Sequence, residues 1–367
     1  MIVGHVVHRY GQLSESFIPD ALEALERAGV ESWVGTLAVE RRDTYPFPPD
    51  ERLLVCPPPP LARRALDRLL GRSGTERFAA RVAERLRPHH PALVHAQFGW
   101  AAGSGTAVAR RLGVPAVVTF HGTDVTVAAP GDPVTRAFPA IDTAVAVSDF
   151  IEGKLRDLGY GGQVEIIPAG VRLDRLPYRG EHAGDGRLLY VGRLNAQKGL
   201  SVLLDALPHL DAELDVIGGG PGRAALEAQA RRLGVPATFH GPLPRREDVL
   251  EGLRRAHVCV MPSRAMPDGA AEGSPVVTKE AQAVGVPLVA TDTGGIAETV
   301  PPEHRPDLVP GDDPPALADA VTRLLLDPEA RVERARRARE WVEREFDATE
   351  LARRTVRLYE RLATASS

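Results

Sequence analysis

The chain has 367 residues, enough for two domains of ordinary size, each with its own core. Hydrophobic residues at 43% and charged residues at 26% give the balance of a soluble globular protein and exclude a disordered chain. A net charge of −4 excludes a protein whose main task is to neutralise nucleic-acid phosphates, and two cysteines, Cys56 and Cys259, are too few for a disulfide framework or a cysteine zinc site.

Taken in chain order, Met1 to Val7 is a short apolar run without a basic leader or cleavage-site pattern, and no later stretch approaches the roughly 20 apolar residues of a membrane span. These features predict a cytoplasmic protein. Short apolar runs then alternate with longer amphipathic segments, the pattern of parallel strands joined by crossover helices. The first half predicts strands near 2–8, 32–37, 92–96, 115–120, 143–147 and 164–167, and helices near 16–28, 61–70, 75–86, 101–112 and 149–158. Pro57 to Pro60 reads as a stiff exposed spacer. Between residues 61 and 87, eight arginines stand against three acids. Leu61, Ala65, Leu66, Leu69 and Leu70 recur there at helical spacing among Arg63, Arg64 and Arg68. An ordinary outer helix has this pattern, and so does a helix resting on the anionic inner face of a membrane.

A polar, glycine-containing stretch from Arg179 to Gly186 reads as a linker. After it come predicted strands at 188–191, 214–217, 237–240, 257–261 and 287–291, with helices near 199–208, 223–233, 314–326, 329–344 and 348–363.

Chemistry concentrates in the second half. Gly192-Arg193-Leu194-Asn195-Ala196-Gln197-Lys198-Gly199 joins a strand to a helix and sets two cations at a helix N-terminus, a place that favours phosphate. Glu272 and Glu280 flank a helix start near Ser274 or Pro275, with Ser as the cap and Pro in the first turn. A carboxylate in the loop can accept from sugar hydroxyls, and one on the helix can take a ribose diol. Gly218-Gly219-Gly220-Pro221-Gly222 is a glycine-rich turn after a strand, but no acid follows where a dinucleotide fold needs one, since Phe239-His240-Gly241 stands there. In the first half, His95 and His121 end predicted strands, where ligands of open α/β sheets bind. No Asp-x-Asp, His-Glu-x-x-His, Gly-x-Ser-x-Gly or Walker pattern is present.

Together these segments resemble the retaining glycosyltransferases of glycosyltransferase family 4. The segments carrying the resemblance are Leu13-Ser14-Glu15-Ser16-Phe17-Ile18, His95-Ala96-Gln97-Phe98, Phe120-His121-Gly122-Thr123-Asp124, Ile166 to Val171, Val191 to Leu194 with Lys198-Gly199, the acid pair, Ala281 to Pro287 and Gly294 to Glu298, in that order. The resemblance implies a GT-B fold, with two Rossmann-like α/β/α domains facing each other across a cleft and a C-terminal helix returning to the first. The implied domains are an acceptor-side domain, 1–178, a donor domain, 179–345, and the returning helix, 346–367.

By the same resemblance Arg193 and Lys198 bind the donor diphosphate, Glu280 the ribose, and Glu272 and His121 the transferred sugar. Gly11 lets the backbone approach the phosphates, and Gly241-Pro242-Leu243 holds the base. Gly192, Gly219, Gly273, Ser274, Pro275 and Val276 complete the implied donor-binding set. Ser274-Pro275 departs from the aromatic-glycine pair frequent in the family, and Pro275 removes one backbone donor. The donor is a UDP-, GDP-, ADP- or TDP-sugar, the acceptor a hydroxyl, and neither metal nor cofactor is required. The competing readings are an NAD-dependent oxidoreductase using the turn at 218–222 and a non-catalytic sugar-binding protein on the same fold.

Overall fold

Leu93–Gln97, Ala116–Phe120 and Thr143–Ala146 are buried along nearly their whole length and not on alternate residues, as a parallel sheet covered on both faces requires. The computed structural model describes residues 1–58, 73–180 and 186–365. Its first strands are β1 (Ile2–Val6), β2 (Arg9–Tyr10), β3 (Glu31–Thr36), β4 (Ala38–Val39), β5 (Leu53–Val55), β6 (Leu93–Gln97), β7 (Ala116–Phe120), β8 (Thr143–Ala146) and β9 (Gln163–Ile166). Among the described residues β2 and β4 pair apart, and the others form a seven-stranded parallel sheet in the order β5-β3-β1-β6-β7-β8-β9.

The second half repeats the scheme. Strands β10 (Leu188–Val191), β11 (Leu214–Ile217), β12 (Ala237–Gly241), β13 (Val258–Met261) and β14 (Leu288–Ala290) form a five-stranded parallel sheet, ordered β12-β11-β10-β13-β14. Each sheet begins in its middle, grows to one side, and then restarts beside its first strand. That is the doubly wound Rossmann-like order, and ligands bind outside the carboxyl ends of the strands where the order reverses. The reversals lie between β1 and β6, and between β10 and β13.

The chain divides into two units, Met1–Gly170 with the chain from Ala348 onward, and Val171–Asp347. The sequence set these boundaries at 178/179 and 345/346. They move because Val171, Leu176 and Phe346 are buried in one cluster of the second unit, where the Val171 N–H donates to the Phe346 carbonyl at 2.8 Å.

Strand β5 and the helices Thr123–Thr126, Pro133–Ala137 and Arg246–Arg255 are structure that the apolar pattern did not predict. The predicted helix at 61–70, with Arg63, Arg64 and Arg68, lies outside the described residues. Just after it, helix Gly74–Leu86 is capped by Ser73 Oγ, which accepts from the Glu76 N–H at 3.0 Å. Its Phe78, Ala79, Val82 and Leu86 join the core of the first unit. No described helix is long and apolar enough to cross a membrane.

The last helix, Ala348–Ala365, packs on Phe17–Arg27 and inserts Leu351, Leu358 and Tyr359 into a core cluster of the first unit. Its Arg354 donates to the Ile166 carbonyl at 2.6 Å. Tyr359 Oη lies 2.5 Å from His95 Nδ1, and His95 Nε2 lies 2.6 Å from Thr119 Oγ1. His95 is therefore a buried bracket between sheet and helix, with both ring nitrogens engaged inside the unit.

Burial pushes His95 down to about 3. It also holds the neighbouring His5 well below 6.5, with the nearby His95 adding to the shift. The unfolded chain takes up protons on such rings below pH 6.5 and the folded chain does not. The stability carried by their neutrality is complete above pH 6.5 and is lost as pH falls below it. At pH 5 holding the His95 ring neutral costs about 2 kcal/mol. Buried Asp124, raised to about 6, works in the opposite direction over part of this range. We expect the urea midpoint to fall from pH 7.5 to pH 5.0, and the fall to be smaller in His95→Asn. An equal fall in the variant would show that His95 titrates freely in the folded chain.

Candidate functional site

The reversal between β10 and β13 brings together two loops. Beyond β10, Asn195 caps the short helical turn Ala196–Lys198 by accepting the Lys198 N–H at 3.1 Å. Gly199 follows in the left-handed region, φ 67°, and opens the helix Leu200–Ala206. A Cβ on Gly199 would stand 1.7 Å from the Pro262 carbonyl oxygen, just past β13, so only glycine lets the two strand edges meet this closely. Arg264 N–H then donates to the Gln197 carbonyl at 2.7 Å.

This approach places the side chain of Lys198 on Glu272, with Nζ 2.7 Å from Oε1. The two side chains are only 15% and 9% exposed. Ser263 Oγ donates to the same Glu272 oxygen at 3.2 Å. The backbone around the acid is fixed as well: the Gly295 N–H donates to the Glu272 carbonyl at 2.8 Å, and Thr291 and Thr293 hydroxyls donate to the Ser263 carbonyl at 2.5 and 3.2 Å. Arg193 differs from Lys198. Tyr190 Oη anchors its carbonyl at 2.9 Å, while its side chain is exposed and has no hydrogen-bond or ion-pair partner among the described residues.

Three turns beyond β10, β11 and β12 are tied into one edge. Gly192 N–H donates to Ile217 and Leu194 N–H to Gly219, at 3.0 and 2.9 Å. Gly222 N–H returns to Leu194 at 2.8 Å, and Gly218 N–H donates to Gly241 at 2.9 Å. The glycine turn at 218–222 thus engages its own neighbours, and a Cβ on Gly219 would touch Pro242 at 3.4 Å. After Gly241-Pro242-Leu243 the helix Arg246–Arg255 begins, and Arg246 forms an ion pair with Glu280.

Glu280 belongs to the helix Val276–Val284, whose start differs from the sequence expectation. Pro275 is the cap residue, and no side chain caps the helix. Ser274 is engaged elsewhere: its Oγ and carbonyl oxygen accept from Lys279 Nζ at 3.0 and 3.1 Å. Lys279 is fully buried, its ammonium 5.0 Å from the Phe346 ring centre. Burial draws its pKa down to about 7, against the opposing pull of Glu280. The lysine thereby holds the 273–275 segment from behind.

In the first unit, His121 ends β7 beside the end of β6. Its Nε2 lies 2.9 Å from Gln97 Oε1, and its ring centre is 4.4 Å from that of Phe98 and 4.9 Å from that of Phe17. Asp124 accepts the N–H groups of Gly99, His121 and Gly122 at 2.7 to 3.0 Å, which fixes the turn that carries His121. Gly11 has φ 82°, and a Cβ there would lie 2.1 Å from the Glu40 carbonyl oxygen, so its own chain already demands glycine.

The second unit therefore collects Gly192, Arg193, Lys198, Gly219, Gly241, Pro242, Leu243, Glu272 to Val276 and Glu280 along one sheet edge and the loops and helix starts that extend it. Gly11 and His121 belong to the first unit. Sequence reasoning missed Ser263, Arg246 and the buried Lys279. Of these only Lys279 carried a signal, as one of three lysines in the chain. Among the described residues no cluster of three or more His, Cys, Asp or Glu could hold a metal ion.

Residues 14–175 match the model described as Glycosyltransferase Family 4, and residues 185–327 match Glycosyl transferases group 1. Glycogen synthase of Mycobacterium tuberculosis (strain H37Rv) is 32% identical over 294 residues, covering 74% of this chain and 69% of that protein. Sucrose-phosphate synthase of Thermosynechococcus elongatus superposes with a TM-score of 0.78 over 100% of both chains, at 22% identity. HepE of Anabaena in complex with UDP and glucose superposes with a TM-score of 0.77 over 98% of this chain and 99% of that one, at 18% identity. These structures establish the GT-B fold, and the family matches do not favour the dinucleotide oxidoreductase reading of the 218–222 turn. By its two family segments and its relatives, the chain belongs to glycosyltransferase family 4.

Proposed function

We propose that the chain transfers a sugar from a nucleoside-diphosphate sugar to a hydroxyl acceptor with retention of anomeric configuration. The observation that carries this reading is the Lys198–Glu272 pair at the reversal of the second sheet, with the exposed Arg193 on the same loop as Lys198. An anion arriving at this edge meets two cations and the N-terminus of a helix. Arg193 and Lys198 take the diphosphate, Glu280 the ribose, and Gly241-Pro242-Leu243 the base. Glu272 and His121 contact the transferred sugar. HepE, solved with UDP and glucose, supports a nucleoside diphosphate and a sugar as the two parts of the donor. The donor class is a UDP-, GDP-, ADP- or TDP-sugar.

In the reaction the bond from the anomeric carbon to the diphosphate oxygen breaks, and the acceptor oxygen bonds to that carbon on the same face. The acceptor proton passes to the departing phosphate. Charge builds on the diphosphate, and the two cations stabilise it, so electrostatic stabilisation of the leaving group is the main contribution of the protein. This scheme needs no metal ion, because Arg193 and Lys198 supply the positive charge. The reading extends to a cytoplasmic enzyme, in which residues 61–87 serve first as an ordinary outer helical region and, as the alternative, as a point of contact with an anionic membrane surface.

The two cations should respond differently to removal. Arg193→Ala and Lys198→Ala each lower turnover by at least about tenfold, since a charged contact to a leaving diphosphate is worth a few kcal/mol. Arg193 is exposed, so its loss should leave the melting temperature unchanged. Lys198→Ala leaves Glu272 with an uncompensated buried charge and costs about 1–3 kcal/mol of stability. The double variant Lys198→Met, Glu272→Gln should recover stability without recovering turnover. Near-wild-type turnover in both single variants would remove the diphosphate role.

The two acids should separate the ends of the donor. Glu280→Gln weakens the binding of free UDP or GDP, whereas Glu272→Gln leaves free nucleotide binding intact and lowers sugar transfer. Calorimetric titration with free nucleotide, beside a transfer assay, reads both. Equal nucleotide affinity in the two variants would require the assignment along the donor to be redrawn.

A further inference from the structure

Arg246 stands at the first position of its helix, three residues after the Gly241-Pro242-Leu243 turn, and reaches across to the neighbouring helix Val276–Val284 to pair with Glu280 through Nη2 and Oε1. The two helices are in contact, and the paired side chains are only 13% and 11% exposed. The guanidinium is planar and keeps its charge, so it holds the Glu280 carboxylate in place from the neighbouring helix. The ionised carboxylate only accepts hydrogen bonds, and a planar guanidinium restricts the plane in which it does so.

From this geometry we propose that Arg246 is a positioning residue for Glu280, and that the pair makes the enzyme select ribonucleoside-diphosphate donors over 2′-deoxyribonucleoside-diphosphate donors. The proposal rests on the reading of Glu280 as the ribose-binding acid. A ribose offers two adjacent hydroxyls to a fixed carboxylate, and a 2′-deoxyribose offers one. A site built to accept two hydroxyls rejects the analogue that offers one, because a hydrogen bond that the ribose makes to the carboxylate is lost. The donor range thereby narrows to UDP-, GDP- or ADP-sugars, and thymidine-type donors with a 2′-deoxyribose are disfavoured.

Calorimetric titration of the full chain with UDP, GDP and ADP, each beside its 2′-deoxy counterpart, tests this in the wild type, Arg246→Met, Arg246→Lys and Glu280→Gln. The wild type should bind at least one ribonucleotide at least about tenfold more tightly than its deoxy counterpart. Arg246→Met and Glu280→Gln should both bring that ratio close to one. Arg246→Lys should fall between, because it keeps the charge and loses the planar fork. A merely structural arginine would lower affinity for both nucleotides and leave the ratio unchanged. If Arg246→Met keeps the wild-type ratio while Glu280→Gln loses it, the proposal is overturned and the ribose reading stands. Should Arg246→Met fail to fold, Arg246→Lys carries the comparison, and an undiminished ratio there overturns the proposal. A wild-type ratio near one, or an undiminished ratio in Glu280→Gln, overturns the ribose reading and the proposal with it.

Discussion

Lys198 and Glu272 are held almost out of water, and each is tolerable there only because of the other. Such a pair demands precise support, since a small displacement of either loop would leave a charge buried without its partner. Much of the backbone at the β10 and β13 edges meets that demand. The Gly199 contact with Pro262 closes the gap between the loops, Asn195 fixes the turn that carries the lysine, and Gly295 holds the carbonyl of the acid. Ser263 gives the carboxylate a hydrogen bond besides that of the lysine.

A second layer of charge sits behind the first. Glu280 is paired with Arg246, and Lys279 grips Ser274 from within the core, so these three groups are committed before any ligand arrives. Arg193 is the contrast, exposed and without a partner among the described residues. The edge thus combines paired charges that define a shape with an exposed cation available to an incoming anion. Preorganised charge of this kind requires little rearrangement when the leaving group develops its own.

The sheets were legible in the sequence because most buried strands are short, largely apolar runs bounded by glycine, proline or polar residues. Leu53–Val55 escaped because three residues between a polar turn and a proline run carry too little pattern. Helix Arg246–Arg255 escaped because six charged residues dominate it and only Leu250 and Leu253 are buried. The cation-bearing loop and the acid pair were legible as residue types at strand and helix ends, whereas their partners were not. Nothing local links Arg246 to Glu280 across 34 positions, or His95 to Tyr359 across 264. Ser274 looked like a helix cap by type, yet a buried lysine one turn on competes for its oxygens, and that competition exists only in the folded chain. Residues 61–70 lie outside the described structure, so their basic helix pattern is known from sequence alone.

The claim that a nucleoside diphosphate is held by the second unit at the reversal of its sheet is tested most directly by hydrogen–deuterium exchange of the full chain, with and without saturating UDP, GDP or ADP, whichever binds. The account predicts added protection in peptides spanning 192–199, 241–246 and 272–280, with no comparable change along β5 or β9. Protection absent from those three segments in the presence of a nucleotide that demonstrably binds, or confined to the first unit, would contradict it.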